Sequence, residues 1–326
     1  MSRISICIAT HERPANLRRT LAAIERQRML PHEVVISDSS RTEDPALLEE
    51  LASSPLKIKR VRSASRALPW QRSWAFQHAS GDVILFLDDD VSLRPPALET
   101  LERAYASLSA DSSRNVAGVG FRMVYDDGSE PERRPYSFRE RWLRMSSLPP
   151  GSITSGGLSV SLAGLKAREP TEVDVLAGGA MSFRREALAN LPLGNLVSLY
   201  EAGIGRGEDA VLSFHARRAG KLFVLAEPFA VHPIADMRVA TPYAKDGWRL
   251  GLTQTLGRAH TMRWMASSWS AYTRDWWRMV SLELARCAKA ILSRPWRAEP
   301  WLRLAGACYG TAFTVARWSR IPSHPN

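Results

Sequence analysis

The chain has 326 residues, 45% of them hydrophobic and 24% charged, with a net charge of +11. It is too apolar for a disordered chain, and Cys7, Cys287 and Cys308 are too few and scattered for a disulfide scaffold or a zinc site. Its length sets a soft prior of about two domains. No run of about 18 uncharged apolar residues marks a spanning helix. Arg3 precedes only a short apolar run, so no secretory leader is expected, and the protein is expected to fold in a reducing cytoplasm.

Residues 4–9 form a short apolar run, which predicts a buried strand, and Thr10-His11-Glu12-Arg13-Pro14 reads as the loop after it. Asn16 is placed to cap a helix carrying Leu17, Leu21 and Ile24 on one face. Residues 34–36 predict a second buried strand, ending at Asp38-Ser39-Ser40. Leu47, Leu48 and Leu51 suggest a helix, Ile58 and Val61 a short strand, and residues 70–79 another helix. Residues 83–87 are the strongest strand signal, and Asp88-Asp89-Asp90 follows at once. Alternating strands and helices imply right-handed crossovers and a mostly parallel sheet. Ligands of such sheets bind beyond the carboxyl ends of the strands, where Asp38 and the three aspartates fall.

Adjacent carboxylates repel unless a cation sits among them. Oxygen ligands at a strand end suit Mg²⁺ or Mn²⁺ bridging a phosphate, whereas an acidic turn ahead of a helix is the ordinary structural alternative. Likewise, Asp38 is either a nucleoside ligand or a turn residue bonded to its own backbone.

At this point the sequence resembles the family 2 glycosyltransferases of GT-A fold. The resemblance rests on the strand through Thr10 and Arg13, on Asp38-Ser39-Ser40, on Arg72-Ser73 with Ala79 and Gly81 downstream, and on Asp88-Asp89-Asp90 as the Asp-x-Asp (DXD) motif. It continues through residues 177–188, from Ala177-Gly178-Gly179 to Arg184-Arg185-Glu186-Ala187-Leu188, and through Gly207-Glu208-Asp209 to Arg218-Ala219-Gly220. It spans roughly residues 3–235, by the order and spacing of short motifs. Ser39 and Ser73 depart from the family's commoner residues and loosen the inference about the donor base.

The resemblance implies a GT-A-like, Rossmann-type catalytic domain over residues 1–235 and a helical C-terminal region over 236–326. It implies that Thr10 and Asp38 contact the nucleoside of a UDP- or dTDP-sugar, and that Arg13 and Arg72 assist at phosphate oxygens. Asp88 and Asp89 would line the donor site, and Asp90, with Asp88 and His232, would hold Mn²⁺ or Mg²⁺. Gly178 and Gly179 would border the acceptor. Asp209 matches the general base of an inverting transfer, with Glu208 beside it orienting the acceptor or sharing the catalytic load; taken alone, the pair reads as the acidic first turn of a helix. His232, near the plausible strand over residues 222–226, taken alone reads as a structural histidine.

The Gln-x-x-Arg-Trp signature of processive synthases is absent, so a single sugar addition is expected. Residues 126–170 are a weakly patterned insert, of the kind that shapes an acceptor pocket or lid. The end of the chain is distinct: from Lys245 onward 13 Lys/Arg stand against 4 Asp/Glu, leaving only +2 for the first 244 residues, and eight of the 11 Trp lie there. Residues 276–292 carry an apolar helical stripe, and residues 304–316 are uncharged between Arg303 and Arg317. Basic residues mixed with Trp suit an interfacial helix against anionic lipid; a helical bundle packed on itself or in a dimer is the alternative. Nucleic-acid binding is not expected, given the aspartate sites of the body.

These readings converge on a metal-dependent, inverting transferase that adds one sugar to a glycan or lipid-linked acceptor of the cell envelope, peripheral at the inner membrane face. A catalytically silent nucleotide- or sugar-binding scaffold of the same fold is the rival. A nucleotidyltransferase would want a Gly-rich, basic phosphate loop after the first strand, and residues 10–14 hold no Gly.

Overall fold

A computed structural model describes residues 2–111, 114–191, 193–233 and 246–321. The expected boundary at 235/236 lies outside them. The chain divides into two compact units. The first comprises Met1–Glu132, Leu162–Gly194 and Leu212–Asp236; the second comprises Arg133–Ser161, Asn195–Val211 and Met237–Asn326.

The chain begins β1 (Ile4–Thr10), α1 (Pro14–Glu25), β2 (Glu33–Asp38), α2 (Pro45–Ser53), β3 (Ile58–Arg62), α3 (Leu68–His78) and β4 (Val83–Asp88). Then follow β5 (Ser92–Leu93), α4 (Ala97–Ala110), β6 (Val116–Gly120) and β7 (Met123–Tyr125). Next come α5 (Phe138–Trp142), β8 (Thr171–Val173), β9 (Ala180–Arg184), α6 (Gly194–Glu201), α7 (Glu208–Ala216), β10 (Lys221–Val224) and β11 (Ala230–His232). The end is helical: α8 (Gly247–Leu252), a π-helical turn over Thr253–Gly257, α9 (Arg258–Met265), α10 (Trp269–Ser293) and α11 (Ala298–Ala316).

The first unit is an eight-stranded sheet in the order β3-β2-β1-β4-β9-β6-β10-β8. Strands β3, β2, β1 and β4 are parallel, as the strand–helix alternation predicts. β9 enters antiparallel between β4 and β6, and β8 closes the edge antiparallel to β10. The short apolar runs are strands because both faces of the central sheet are covered: Ile4, Ile6, Ile8, Val34, Ile36, Val83, Leu85 and Leu87 join one core with Leu17, Leu21 and Ile24 of α1 and Leu98 and Leu101 of α4. Gly81, just before β4, is forced by crowding, since a Cβ there would lie 2.6 Å from the Arg3 carbonyl oxygen.

Register brings the strand ends together. Thr10 pairs with Asp38 across β1–β2, and Ala9 with Asp88 across β1–β4. A second, three-stranded sheet, β5-β11-β7, pairs β11 antiparallel to β5 just past the aspartates. That pairing carries His232 back toward them.

The second unit holds the helical end together with α5 and α6. Its core gathers Leu143, Met145, Leu158 and Val160 with Met262, Tyr272, Trp276, Met279 and Val280. The 25 residues of α10 extend the helix expected over 276–292 by two turns at its start, where the Ser268 hydroxyl accepts from the Ala271 N–H as its cap. α8 and α11 cross with their backbones close: a Cβ at Gly251 would lie 2.2 Å from the Arg303 carbonyl oxygen, and one at Gly306 2.2 Å from that of Trp248. Trp264 and Trp276 are core residues, whereas Trp269, Trp277, Trp296 and Trp301 are exposed. Among the described residues, no helix is long and apolar enough to cross a membrane.

Candidate active site

Three carboxyl strand ends supply the site in the first unit. The turn after β4 presents Asp88, Asp89 and Asp90 in three different settings. Asp88 is part-exposed, and its Oδ1 accepts from Arg72 Nη2 at 2.9 Å. The same Nη2 donates to the Gly178 carbonyl at 2.7 Å, and the Arg72 side chain is only 3% exposed. Arg72, the arginine expected at donor phosphate, thus also fixes Asp88 against the segment that leads into β9.

Asp89 is turned inward. It accepts from the Thr10 hydroxyl at 2.7 Å and from Arg13 Nη1 at 2.7 Å. Burial pushes its carboxyl up to about 7, against the pull of the Thr10 hydrogen bond and the Arg13 guanidinium. Asp90 Oδ2 accepts from Arg13 Nη2 at 2.7 Å, and its Oδ1 stands 3.5 Å from His232 Nε2. One guanidinium therefore bridges two of the three carboxylates, which relieves their repulsion.

Asp38 is buried at the end of β2. Its Oδ1 accepts from the Ser40 N–H at 2.8 Å, and its Oδ2 accepts from Arg60 Nε at 2.9 Å and Nη2 at 2.7 Å. Burial opposes its ionisation, but the Ser40 and Arg60 hydrogen bonds outweigh that and hold the carboxyl below its ordinary range. Asp38 makes the turn bond expected of its structural alternative, and it also lines an open cavity of about 520 Å³ with Thr10, Arg13, Asp44 and Arg60. A smaller cavity of about 240 Å³ is lined by Thr10, Arg13, Gln71 and all three aspartates. Glu12 holds the wall between the loops. It adopts φ +53°, and its carboxylate accepts from the Arg41 N–H at 2.6 Å while its own N–H donates to Ser40 Oγ at 2.8 Å.

The donor set fits a divalent ion in part. Asp90 and His232 face one another, and Asp88 is held nearby in sequence, a mix of carboxylate and imidazole that suits Mn²⁺ and, with substrate phosphates, Mg²⁺. Among the described residues, no three His, Cys, Asp or Glu side chains are gathered as a complete metal cage. Such a site needs phosphate oxygens to complete its coordination. Gly179 borders it, with the Val91 and Met123 side chains at 3.3 Å and 2.9 Å from where a Cβ would stand.

Glu208 and Asp209 open α7, and their residues belong to the second unit. Glu208 is buried and accepts from the Tyr200 hydroxyl. Burial, then the Glu208 and Asp209 charges, push the Tyr200 phenol well above its ordinary range, so it remains a donor. Asp209 Oδ1 accepts from the Ala210 N–H at 2.8 Å. Two partners escaped sequence reasoning. Arg60 sits in a short edge strand rich in charged residues, where an arginine is ordinary, and Tyr200 lies on α6, with no periodic relation to α7.

Residues 5–191 match the sequence profile described as glycosyl transferase family 2. A segment of 131 residues, 39% of the chain, is 29% identical to the O-antigen biosynthesis protein RfbC of Myxococcus xanthus, and it spans 10% of that relative's length. Among solved structures, GalNAc-T7, crystallised with UDP, GalNAc and Mn²⁺, superposes with a TM-score of 0.56 at 17% identity. That match covers 99% of this chain and 60% of GalNAc-T7. The likeness is one of fold, and the fold is the GT-A type expected from the sequence.

Proposed function

The chain belongs to glycosyl transferase family 2, and from that premise we propose that it moves one sugar from a nucleotide-sugar donor to a glycan or lipid-linked acceptor, with inversion and with divalent-metal dependence. The observation that carries this reading is the gathering of Thr10, Arg13, Asp38, Asp88, Asp89 and Asp90 around two cavities at the carboxyl ends of β1, β2 and β4, with His232 facing Asp90. Asp38, held by Ser40 and Arg60, lines the larger cavity and in this reading accepts from the N3–H of uracil or thymine of a UDP- or dTDP-sugar.

Asp90, Asp88 and His232 would hold Mn²⁺ or Mg²⁺. Such an ion supplies charge neutralisation for the departing diphosphate. Arg13 is the more exposed of the two arginines and meets phosphate oxygens in this reading, while Arg72 keeps Asp88 in place. Asp89, pinned by Thr10 and Arg13, keeps the turn in shape. Gly178 and Gly179 border the acceptor. Asp209 takes the acceptor hydroxyl's proton, and Glu208, oriented by Tyr200, positions that acceptor.

The catalytic domain in this reading ends near residue 235. The region after it docks on anionic membrane from the cytoplasmic side. Its last helix supports this: α11 turns small residues, Gly306, Ala307 and Gly310, inward and leaves Trp301, Leu302, Tyr309 and Val315 exposed. The likeness to an O-antigen biosynthesis protein supports a role in cell-envelope polysaccharide or glycolipid synthesis. The test is calorimetric titration of UDP with and without Mn²⁺, beside a panel of nucleotide sugars assayed for nucleotide release to water. Mn²⁺-dependent binding that Asp90→Ala removes, together with slow release from one donor, is expected. Binding without release from any donor would leave the silent scaffold as the reading, and no binding at all would overturn both.

A further inference from the structure

The second unit contains a cavity of about 180 Å³ lined by Ser159, Arg206, Gly207, Arg258, Thr261 and Met262 among others. Its charged lining residues are both arginines. Arg258 is the informative one. Its Nε is buried with no hydrogen-bond partner, and among the described residues neither Arg258 nor Arg206 has an ion-pair partner. Burial first, then the positive charges of Arg139, Arg206 and Arg286, push the Arg258 guanidinium down to about 10. Glu283, a carboxylate that acts on it, is spent elsewhere: it accepts from Arg303 at 2.6 Å and 2.9 Å and pairs with Arg286 at 3.9 Å. Likewise Glu140 is shared by Arg133 and Arg139.

Arg258 is part-exposed, and its buried Nε, with no counter-charge beside it, is costly to desolvate. An anion would offset that cost. Arg forks match phosphate oxygens in geometry as well as charge. Ser159 adds a hydroxyl at the rim. The apolar part of the wall, with Leu158, Met262 and Met265, tolerates an alkyl neighbour. We infer that this cavity is a phosphate subsite, in which Arg206 and Arg258 bind the phosphate or pyrophosphate group of the acceptor. The word acceptor rests on the transferase reading above; anion binding does not.

The test is metal-free titration of the full-length protein, in EDTA and without nucleotide, with inorganic pyrophosphate and separately with farnesyl pyrophosphate, read by calorimetry and thermal shift. Wild type is expected to bind, with a concentration-dependent rise in Tm. Arg206→Ala, an exposed and therefore fold-neutral change, should weaken binding at least ~10-fold, the scale of one lost charge-assisted hydrogen bond. Arg258→Met should abolish the anion-dependent rise, while its own Tm without anion is no lower than wild type, because an uncompensated charge is gone. Tighter binding of farnesyl pyrophosphate than of pyrophosphate supports a lipid-linked source, and equal binding a phosphate group alone. No binding in wild type, or binding that survives in both variants and is lost in Arg13→Ala, overturns the subsite. UDP binding with Mn²⁺ reports the donor side separately, so failure of the transferase reading and failure of the cavity appear in different measurements.

Discussion

Thr10 donates its hydroxyl hydrogen to Asp89 Oδ2 at 2.7 Å and so ties the end of β1 to the turn after β4. The bond joins residues 79 apart in sequence, and both are buried. Asp89 is the aspartate with the least contact with solvent in the triplet, so its carboxylate depends on its partners, Thr10 and Arg13.

Replacing Thr10 by Val keeps the shape and removes the donor. The Asp89 carboxylate then loses one of these two side-chain partners in a buried place, which costs about 1–3 kcal/mol. Urea denaturation should show that loss as a lower midpoint with unchanged slope. A midpoint equal to wild type would mean that Arg13 alone suffices to hold the turn.

Acid stability should depend on Glu33. Its buried carboxylate accepts from the Ser5 hydroxyl at 2.8 Å and the Ser80 hydroxyl at 2.7 Å. Burial opposes ionisation, but these bonds prevail and the folded carboxyl lies below its ordinary value of 4.5. A depressed folded pKa gives stability that is present above the unfolded pKa and lost as pH falls through the folded one. Wild type should therefore lose stability below about pH 4.5, and Glu33→Gln should flatten that limb while being less stable at neutral pH. Parallel acid limbs in the two proteins would assign the loss to other carboxylates.

The proposed base has its own signature. Asp209→Asn should leave UDP affinity intact and cut transfer by at least ~100-fold, the scale of general-base catalysis. Tyr200→Phe should act through Glu208 and weaken acceptor KM more than kcat, since the lost hydroxyl orients rather than reacts. Transfer by Asp209→Asn within a few-fold of wild type would move the base to Glu208.

The first unit's site was largely legible because its residues are local to strand ends. A strongly apolar run followed by aspartates marks a carboxyl edge whatever covers it, and β1, β2 and β4 bring Thr10, Asp38 and Asp88 into register without further information. The antiparallel entry of β9 was not legible, because alternation of strands and helices says nothing of a strand inserted after a long excursion. The second unit was illegible as a unit. It is assembled from three stretches of chain, and periodicity shows which face of a helix is apolar but not what packs on it. Thus Trp276 and Trp277 are neighbours in sequence, yet one is fully buried and the other half exposed. The pairing of Arg206 with Arg258 at one cavity has the same origin, since only the fold makes them neighbours.

The exposed tryptophans carry the last prediction. Trp296 is 79% exposed between Arg294 and Arg297, and Trp301, Leu302 and Tyr309 follow on α11. An apolar helix face left toward solvent beside basic residues favours an anionic bilayer, where each basic residue near the surface contributes about 1 kcal/mol. Full-length protein should sediment with anionic liposomes and much less with neutral ones. Added salt should weaken but not abolish binding, because the aromatic contribution is not screened. Trp296→Ser with Trp301→Ser should remove the salt-resistant part and leave the fold unchanged, since both side chains are exposed. If instead the full-length protein ignores liposomes and elutes as a dimer that the double substitution dissociates, this face is an interface between two copies of the chain and the membrane reading falls.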